Sequence, residues 1–199
     1  MTIQPMDFIY DKGNTVISQK QFDAHNKLYK GYVDKVNEIT NILSTDGGQK
    51  DANSTYSKYR GLKRGETFAL DGVILHELYF ENIGQPSNMP PADFSKTIQD
   101  NFSGKENWLD DFKACGKASR GWCILCYEQR TKTFRNISLD AHDFGLVAYI
   151  IPLIVLDMYE HAYFLDYETD KAKYIDNFVK NIDWDVAQKR LACLKTPKK

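Results

Sequence analysis

One stretch constrains this chain more than any other. An apolar run from Val147 to Leu156 leads directly into Asp157-Met158-Tyr159-Glu160-His161, and Ala162-Tyr163-Phe164-Leu165-Asp166-Tyr167 follows. A carboxylate and an imidazole therefore stand four residues apart where the sequence is otherwise most buried. Ionised groups are costly in an apolar interior unless they are paired or bind a metal. The chain holds 4 histidines, His25, His76, His142 and His161. A metal site built on Asp157 and His161 has to draw its remaining donors from that short supply.

Composition narrows the function classes. Apolar residues make up 42% and charged residues 27%, as in an ordinary globular protein. The 199 residues suffice for one large domain or two small ones sharing an interface. A net charge of −1 with mixed signs argues against the basic face that nucleic-acid binding needs. The longest apolar run falls short of the roughly 20 residues that cross a bilayer. Met1-Thr2-Ile3-Gln4-Pro5-Met6-Asp7 has no basic segment leading into an apolar core, so a secretory leader is not expected. The expectation is a cytoplasmic protein with no membrane or nucleic-acid partner.

The 4 cysteines are too few and scattered for a disulfide framework. Cys123-Ile124-Leu125-Cys126 has a redox or zinc spacing, but it lies inside Gly121–Tyr127, which reads as a buried strand. Positions three apart on a strand face opposite ways. Cys123 and Cys126 are expected to be small buried hydrophobes.

Apolar periodicity predicts a long helix over 18–43, with Phe22, His25, Leu28, Tyr29, Tyr32, Val36, Ile39 and Leu43 on one face. Ser18 is its N-cap, with Gln21 in capping-box position. A polar loop at 44–54 and a second helix, 56–82, complete an antiparallel hairpin, with Phe68, Leu70, Leu75, Leu78 and Tyr79 toward its apolar side. Helices follow at 92–103 and 106–118, strands at 121–129, 134–139 and 147–156, and helices at 171–182 and 184–194, the last capped by Asp183. The fold class is α+β: an N-terminal helical hairpin domain (1–84), a linker (85–91), and a C-terminal α/β domain (92–199) with a small three-stranded antiparallel sheet.

If residues 157–161 form a helical turn, Asp157 and His161 share a face and can bind one ion. His76 sits among large apolar residues of the second helix, and His25 shares a face with Tyr29 and Tyr32 of the first. Any one of these alone reads as an ordinary core histidine. Three of them with a carboxylate, distributed over separate structural units, point to a shared metal.

With those residues in view the chain resembles the iron/manganese superoxide dismutase family over essentially its whole length. The resemblance is carried by Leu156-Asp157-Met158-Tyr159-Glu160-His161-Ala162-Tyr163 and by Leu75-His76-Glu77-Leu78-Tyr79-Phe80-Glu81-Asn82. Gly121-Trp122, Asn181-Ile182-Asp183-Trp184, Val186 and Arg190 add to it. It implies His25, His76, Asp157 and His161 as ligands of one Mn or Fe ion per subunit, with a solvent molecule completing the shell, and an enzyme that disproportionates superoxide to dioxygen and hydrogen peroxide. Three imidazoles and a carboxylate suit a borderline first-row metal. The resemblance also implies a homodimer in which Glu160 meets the ligand His161 of the other subunit. It sets Tyr29, Trp122, Tyr159, Glu160 and Tyr163 around the ligands or at that interface.

The chain departs from the family pattern in four places. The first helix usually carries His-x3-His-x3-Tyr; here Tyr29 stands where the second His belongs, and Tyr32 arrives one residue early. His25 is the preferred ligand, with Gly31 available to absorb a local adjustment and Tyr32 as the gateway tyrosine. Aligning on Tyr32 instead would put Ala24 at the ligand position. Phe164 replaces the tyrosine that normally partners the missing His across the dimer. Tyr159 stands where Trp is common. Gly72 offers no side chain where the family often has a glutamine contacting the bound solvent, so His142, in Asp140-Ala141-His142-Asp143, takes that gatekeeper role. The alternative reading, a non-catalytic or differently specialised metal-binding member of the fold, is disfavoured by retention of all four donors.

Overall fold

Ser18 accepts the Gln21 amide at 3.2 Å and caps α1, Gln19–Asp46, satisfying one of the amides that a helix start leaves unpaired. Ser57 does the same for α2, Lys58–Asn82, accepting from Arg60 at 3.1 Å. In the computed structural model, which describes residues 2–86, 90–102 and 105–195, the two helices pack along each other through a short connection holding a 3-10 turn, Gln49–Asp51. The hairpin is as expected, with its apolar face turned slightly. Val33 is buried while Leu28 and Leu70 are over a third exposed. The buried stripe of α1 runs through Phe22, His25, Tyr29, Val33 and Val36. Helix α1 continues unbroken through Gly31, so no local adjustment is made there.

The remaining elements are α3 (Ala92–Phe102), α4 (Lys105–Ala118), β1 (Trp122–Glu128), β2 (Thr133–Leu139), β3 (Ile150–Asp157), α5 (Phe164–Tyr167), α6 (Lys171–Lys180) and α7 (Trp184–Lys195). Asp183 caps α7 by accepting from Val186 at 3.0 Å. Of the linker at 85–91, residues 87–89 lie outside the described residues, as does position 103 at the end of the third predicted helix.

The sheet has the order β2-β1-β3 and both pairings are antiparallel. Central β1 is buried from Trp122 to Cys126, which explains its uninterrupted apolar sequence. Helix α4 packs on β1 and β2, while α2 and α7 pack on β3. Trp122 pairs with Leu139 on one side and Asp157 on the other. Register is costly to slip when both faces are buried, so this pairing fixes Asp157 beside the indole. Arg190 joins α7 to the same corner through Asn82 Oδ1 at 2.8 Å, the Leu153 carbonyl at 3.0 Å and Glu81 at 2.7 Å.

Two expectations need correction. The third strand starts at Ile150, not Val147; Val147 and Tyr149 are exposed in the preceding loop. Gly145 has φ 103°, and a Cβ there would lie 2.9 Å from the Ser138 carbonyl. The chain can therefore turn back on β2 only with glycine at this point. The resulting loop, closed by Asp140 N–H to the Phe144 carbonyl at 3.0 Å, carries His142. Residues 157–161 are also not a helical turn: Asp157 ends β3, and His161 sits in a 3-10 turn, Glu160–Ala162. Cys123 and Cys126 behave as expected, both buried and unpaired; all four cysteines are free.

Candidate metal centre

Helix α1 delivers His25, α2 delivers His76, the end of β3 delivers Asp157 and the 3-10 turn delivers His161. One donor atom from each lies within 4.8 Å of the others. The Asp157 Oδ2 atom is the hub: His25 Nε2 is 3.1 Å away, His161 Nε2 3.3 Å and His76 Nε2 3.7 Å. His25, His76 and Asp157 are buried, and only the His161 side chain is part-exposed, at 29%. Among the described residues this is the one cluster with metal-binding geometry.

The hydrogen bonds turn the donors inward: His25 Nε2 and His161 Nε2 both meet Asp157 Oδ2. His76 Nδ1 donates to the Gly72 carbonyl at 2.5 Å, which puts the ring proton outside and a lone pair on Nε2. That Nε2 is buried with no hydrogen-bond partner. Asp157 Oδ1 accepts the Tyr159 amide at 2.9 Å, leaving Oδ2 for the hub. Burial would raise the Asp157 carboxyl, but His161 and His25 outweigh it and hold it far below the usual carboxylate range. Burial, reinforced by His25, pushes His76 down to about 3, and burial also lowers His25. The result is an anionic oxygen facing the neutral imidazoles of His25 and His76, the protonation state a divalent or trivalent ion requires of its ligands. An orphaned buried nitrogen aimed at a carboxylate it does not reach fits a Mn or Fe ion between them.

A second arc closes over the first. His142 Nδ1 accepts from the Trp122 indole N–H at 2.9 Å. Indole nitrogen can only donate, so His142 has no proton on Nδ1. Burial pushes the imidazole pKa down to about 4, and the neutral ring carries its one proton on Nε2, 2.9 Å from the Tyr32 hydroxyl. His142 thus donates to Tyr32, and the Tyr32 proton stays free. Burial, then Asp157, raise the Tyr32 pKa, so the phenol is kept protonated. Gly72 makes this arrangement possible: a Cβ there would lie 3.1 Å from the Tyr32 ring and 3.4 Å from His142 Cδ2. Tyr159 stacks on His161 with centroids 5.1 Å apart, and Trp122 meets His76 edge-on at 5.1 Å.

The outer residues divide differently. Tyr29 is fully buried but turned away from the donors: its hydroxyl donates to Glu77 at 2.7 Å and accepts from the Met6 amide at 2.8 Å. Tyr163 stacks on Tyr174 at 4.9 Å. Glu160, Phe164 and Leu165 are exposed. Gln21, read from sequence only as part of a capping box, reaches the turn that carries His161. Its amide donates to the His161 carbonyl at 2.5 Å and accepts from Leu165 N–H at 3.1 Å, so α1 holds the turn that presents His161. Tyr79 and Phe80 wall His25 at 5.2 and 4.9 Å. Their spacing after His76 was the available signal.

The model for the C-terminal domain of iron/manganese superoxide dismutases matches residues 90–190. The chain belongs to the iron/manganese superoxide dismutase family. It is 40% identical to a "Superoxide dismutase [Fe]" of Aquifex aeolicus, over 94% of this chain and 90% of that protein. A "Superoxide dismutase [Mn] 1" of Halobacterium salinarum is 30% identical over 94% of this chain and 93% of its own length. A "Superoxide dismutase [Fe]" of Cupriavidus metallidurans is 35% identical over 89% and 90%. Membership accounts for the helical hairpin followed by a three-stranded α/β part and for the His-His-Asp-His donor set.

Proposed function

We propose that His25, His76, Asp157 and His161 hold one Mn or Fe ion, and that the protein is a superoxide dismutase working at that ion. The observation that carries this is the unpartnered, buried His76 Nε2 facing Asp157 Oδ2, an arrangement with no structural benefit in the absence of a bound cation. When bound, a Mn or Fe ion held by these four residues would supply the one-electron redox chemistry that superoxide disproportionation requires. The protein supplies geometry, charge and protons. Asp157 offsets the positive charge, the imidazoles set the cage, and Tyr159 with Trp122 packs its wall. Tyr32, whose ring lies 5.4 Å from that of His76, has a proton free to give, because His142 already donates to its oxygen. Metal analysis and a superoxide assay on one preparation test this: activity should scale with Mn or Fe content, and activity in metal-depleted protein would refute it.

The helical hairpin and the α/β part each contribute two donors, which supports a division into 1–84 and 92–199 about a linker at 85–91. Sites at such boundaries are common. Among the described residues no helix is long and apolar enough to cross a membrane. Four free thiols favour a reducing compartment, here taken as the cytoplasm.

We also propose a symmetric homodimer. Exposed Phe164 and Leu165 flank Glu160 and the part-exposed His161, an apolar patch around a complementary pair. A two-fold axis there would let Glu160 accept from His161 of the partner subunit twice over, orienting a metal ligand. Sedimentation at micromolar concentration should give a dimer; a fully active monomer would contradict it.

A further inference from the structure

The Gln21 carboxamide takes both ends of the turn that presents His161. Its Nε2 donates to the His161 carbonyl at 2.5 Å, and its Oε1 accepts from the Leu165 N–H at 3.1 Å. A carbonyl and the N–H four residues later are the pair that an α-helical turn bonds directly. Here both bond to one side chain, which offers a donor and an acceptor at fixed ends, as a peptide group does. The backbone instead makes a 3-10 turn at Glu160–Ala162, which has no side-chain cap, and α5 begins only at Phe164. Gln21 is 1% exposed, so solvent does not compete for the bridge.

His25 follows Gln21 by four residues on α1, and both belong to its buried stripe. The rings of His25 and His161 have centroids 5.0 Å apart. One helix thus references both donors: it carries His25 itself and holds the backbone of His161 through Gln21. Two further ties run between the start of α1 and this segment. The Ser18 N–H donates to Asp166 Oδ2 at 2.6 Å, and the Tyr167 hydroxyl donates to the Val16 carbonyl. Those act beyond Leu165, whereas Gln21 acts on the His161 backbone.

We propose that Gln21 is a positioning residue for the metal ligand His161, a carboxamide wedge that keeps residues 161–165 from closing into an α-helical turn. Without it, the Leu165 N–H bonds the His161 carbonyl directly. That closure turns the imidazole away from Asp157 Oδ2, from which its Nε2 now stands 3.3 Å. The inference rests on the reading of His161 as a ligand of Mn or Fe; the wedge itself does not depend on it. Groups that orient a ligand change metal affinity by about 10–100-fold.

The test compares the parent with Gln21→Met, which keeps the length of the side chain and removes both hydrogen-bonding ends. Gln21→Ser, too short to reach either group, is the second variant and should behave the same way. Ser18→Ala is the control, because it removes the α1 cap and leaves the wedge in place. Mn and Fe dissociation constants are measured by chelator competition, and spectra are recorded on metal-saturated protein. Both Gln21 variants should bind each metal about 10–100-fold more weakly and show altered spectra at saturation. Their crystals should show the Leu165 nitrogen within about 3 Å of the His161 carbonyl oxygen. Ser18→Ala should melt earlier yet keep parental affinity and spectra, which separates lost stability from lost positioning. A folded Gln21 variant with parental affinity and spectra would overturn the proposal. If the parent itself binds neither metal, the ligand reading fails instead, and a turn that stays open in the variant crystals still refutes the wedge.

Discussion

Replacing His76 by alanine should give a folded protein that has lost its metal. Groups that merely orient a ligand change metal affinity by about 10–100-fold, so removing a ligand should cost at least that, with superoxide turnover falling in parallel. The fold should survive, because the substitution removes a nitrogen that has no partner and a short hydrogen bond confined to its own helix. The remaining penalty is a cavity, worth about 2–5 kcal/mol for a large side chain cut to alanine. Elemental analysis and circular dichroism on the same sample separate the effects. Native-like spectra with undiminished Mn or Fe would remove His76 from the ligand set.

The second large effect concerns His142. Its imidazole offers one proton, already given to Tyr32, because Trp122 occupies the other nitrogen. Glutamine at this position would present a carbonyl to Trp122 and two N–H protons on the far side. One of those protons would still reach Tyr32, and the other would be an additional donor beside it. An added donor there stabilises negative charge and favours the more oxidised ion. His142→Gln should therefore retain metal while shifting its resting oxidation state, its Mn-to-Fe activity ratio, or both, by about 10–100-fold in rate. Spectra and turnover of parent and variant, each loaded with Mn and with Fe, decide it. Identical behaviour with both metals would reduce His142 to a packing residue.

The donors themselves were legible, because a buried Asp and three core-facing imidazoles are chemically costly and few in number. The helical hairpin was legible as well, from periodicity and the Ser18 cap. What sequence could not show is how separate elements meet. Asp157 and His161 looked like neighbours on one helix, yet the end of a strand and a 3-10 turn bring them together. The apolar residues Val147 and Tyr149 looked like strand, but the turn at Gly145 leaves them outside the sheet. Gln21 fitted a capping box, whereas its side chain crosses to the His161 turn. Tyr29 sat on the histidine face, but Glu77, on the other helix, turns its hydroxyl away. For Gln21 and Tyr29 a long-range partner decided between locally acceptable conformations.

Anomalous X-ray scattering from crystals of the metal-loaded protein, recorded at the Mn and Fe edges, tests the central claim most directly. One peak per chain is expected, at bonding distance from His25 Nε2, His76 Nε2, Asp157 Oδ2 and His161 Nε2. A peak elsewhere, or one bound by the other three residues without His25, would contradict the site described here.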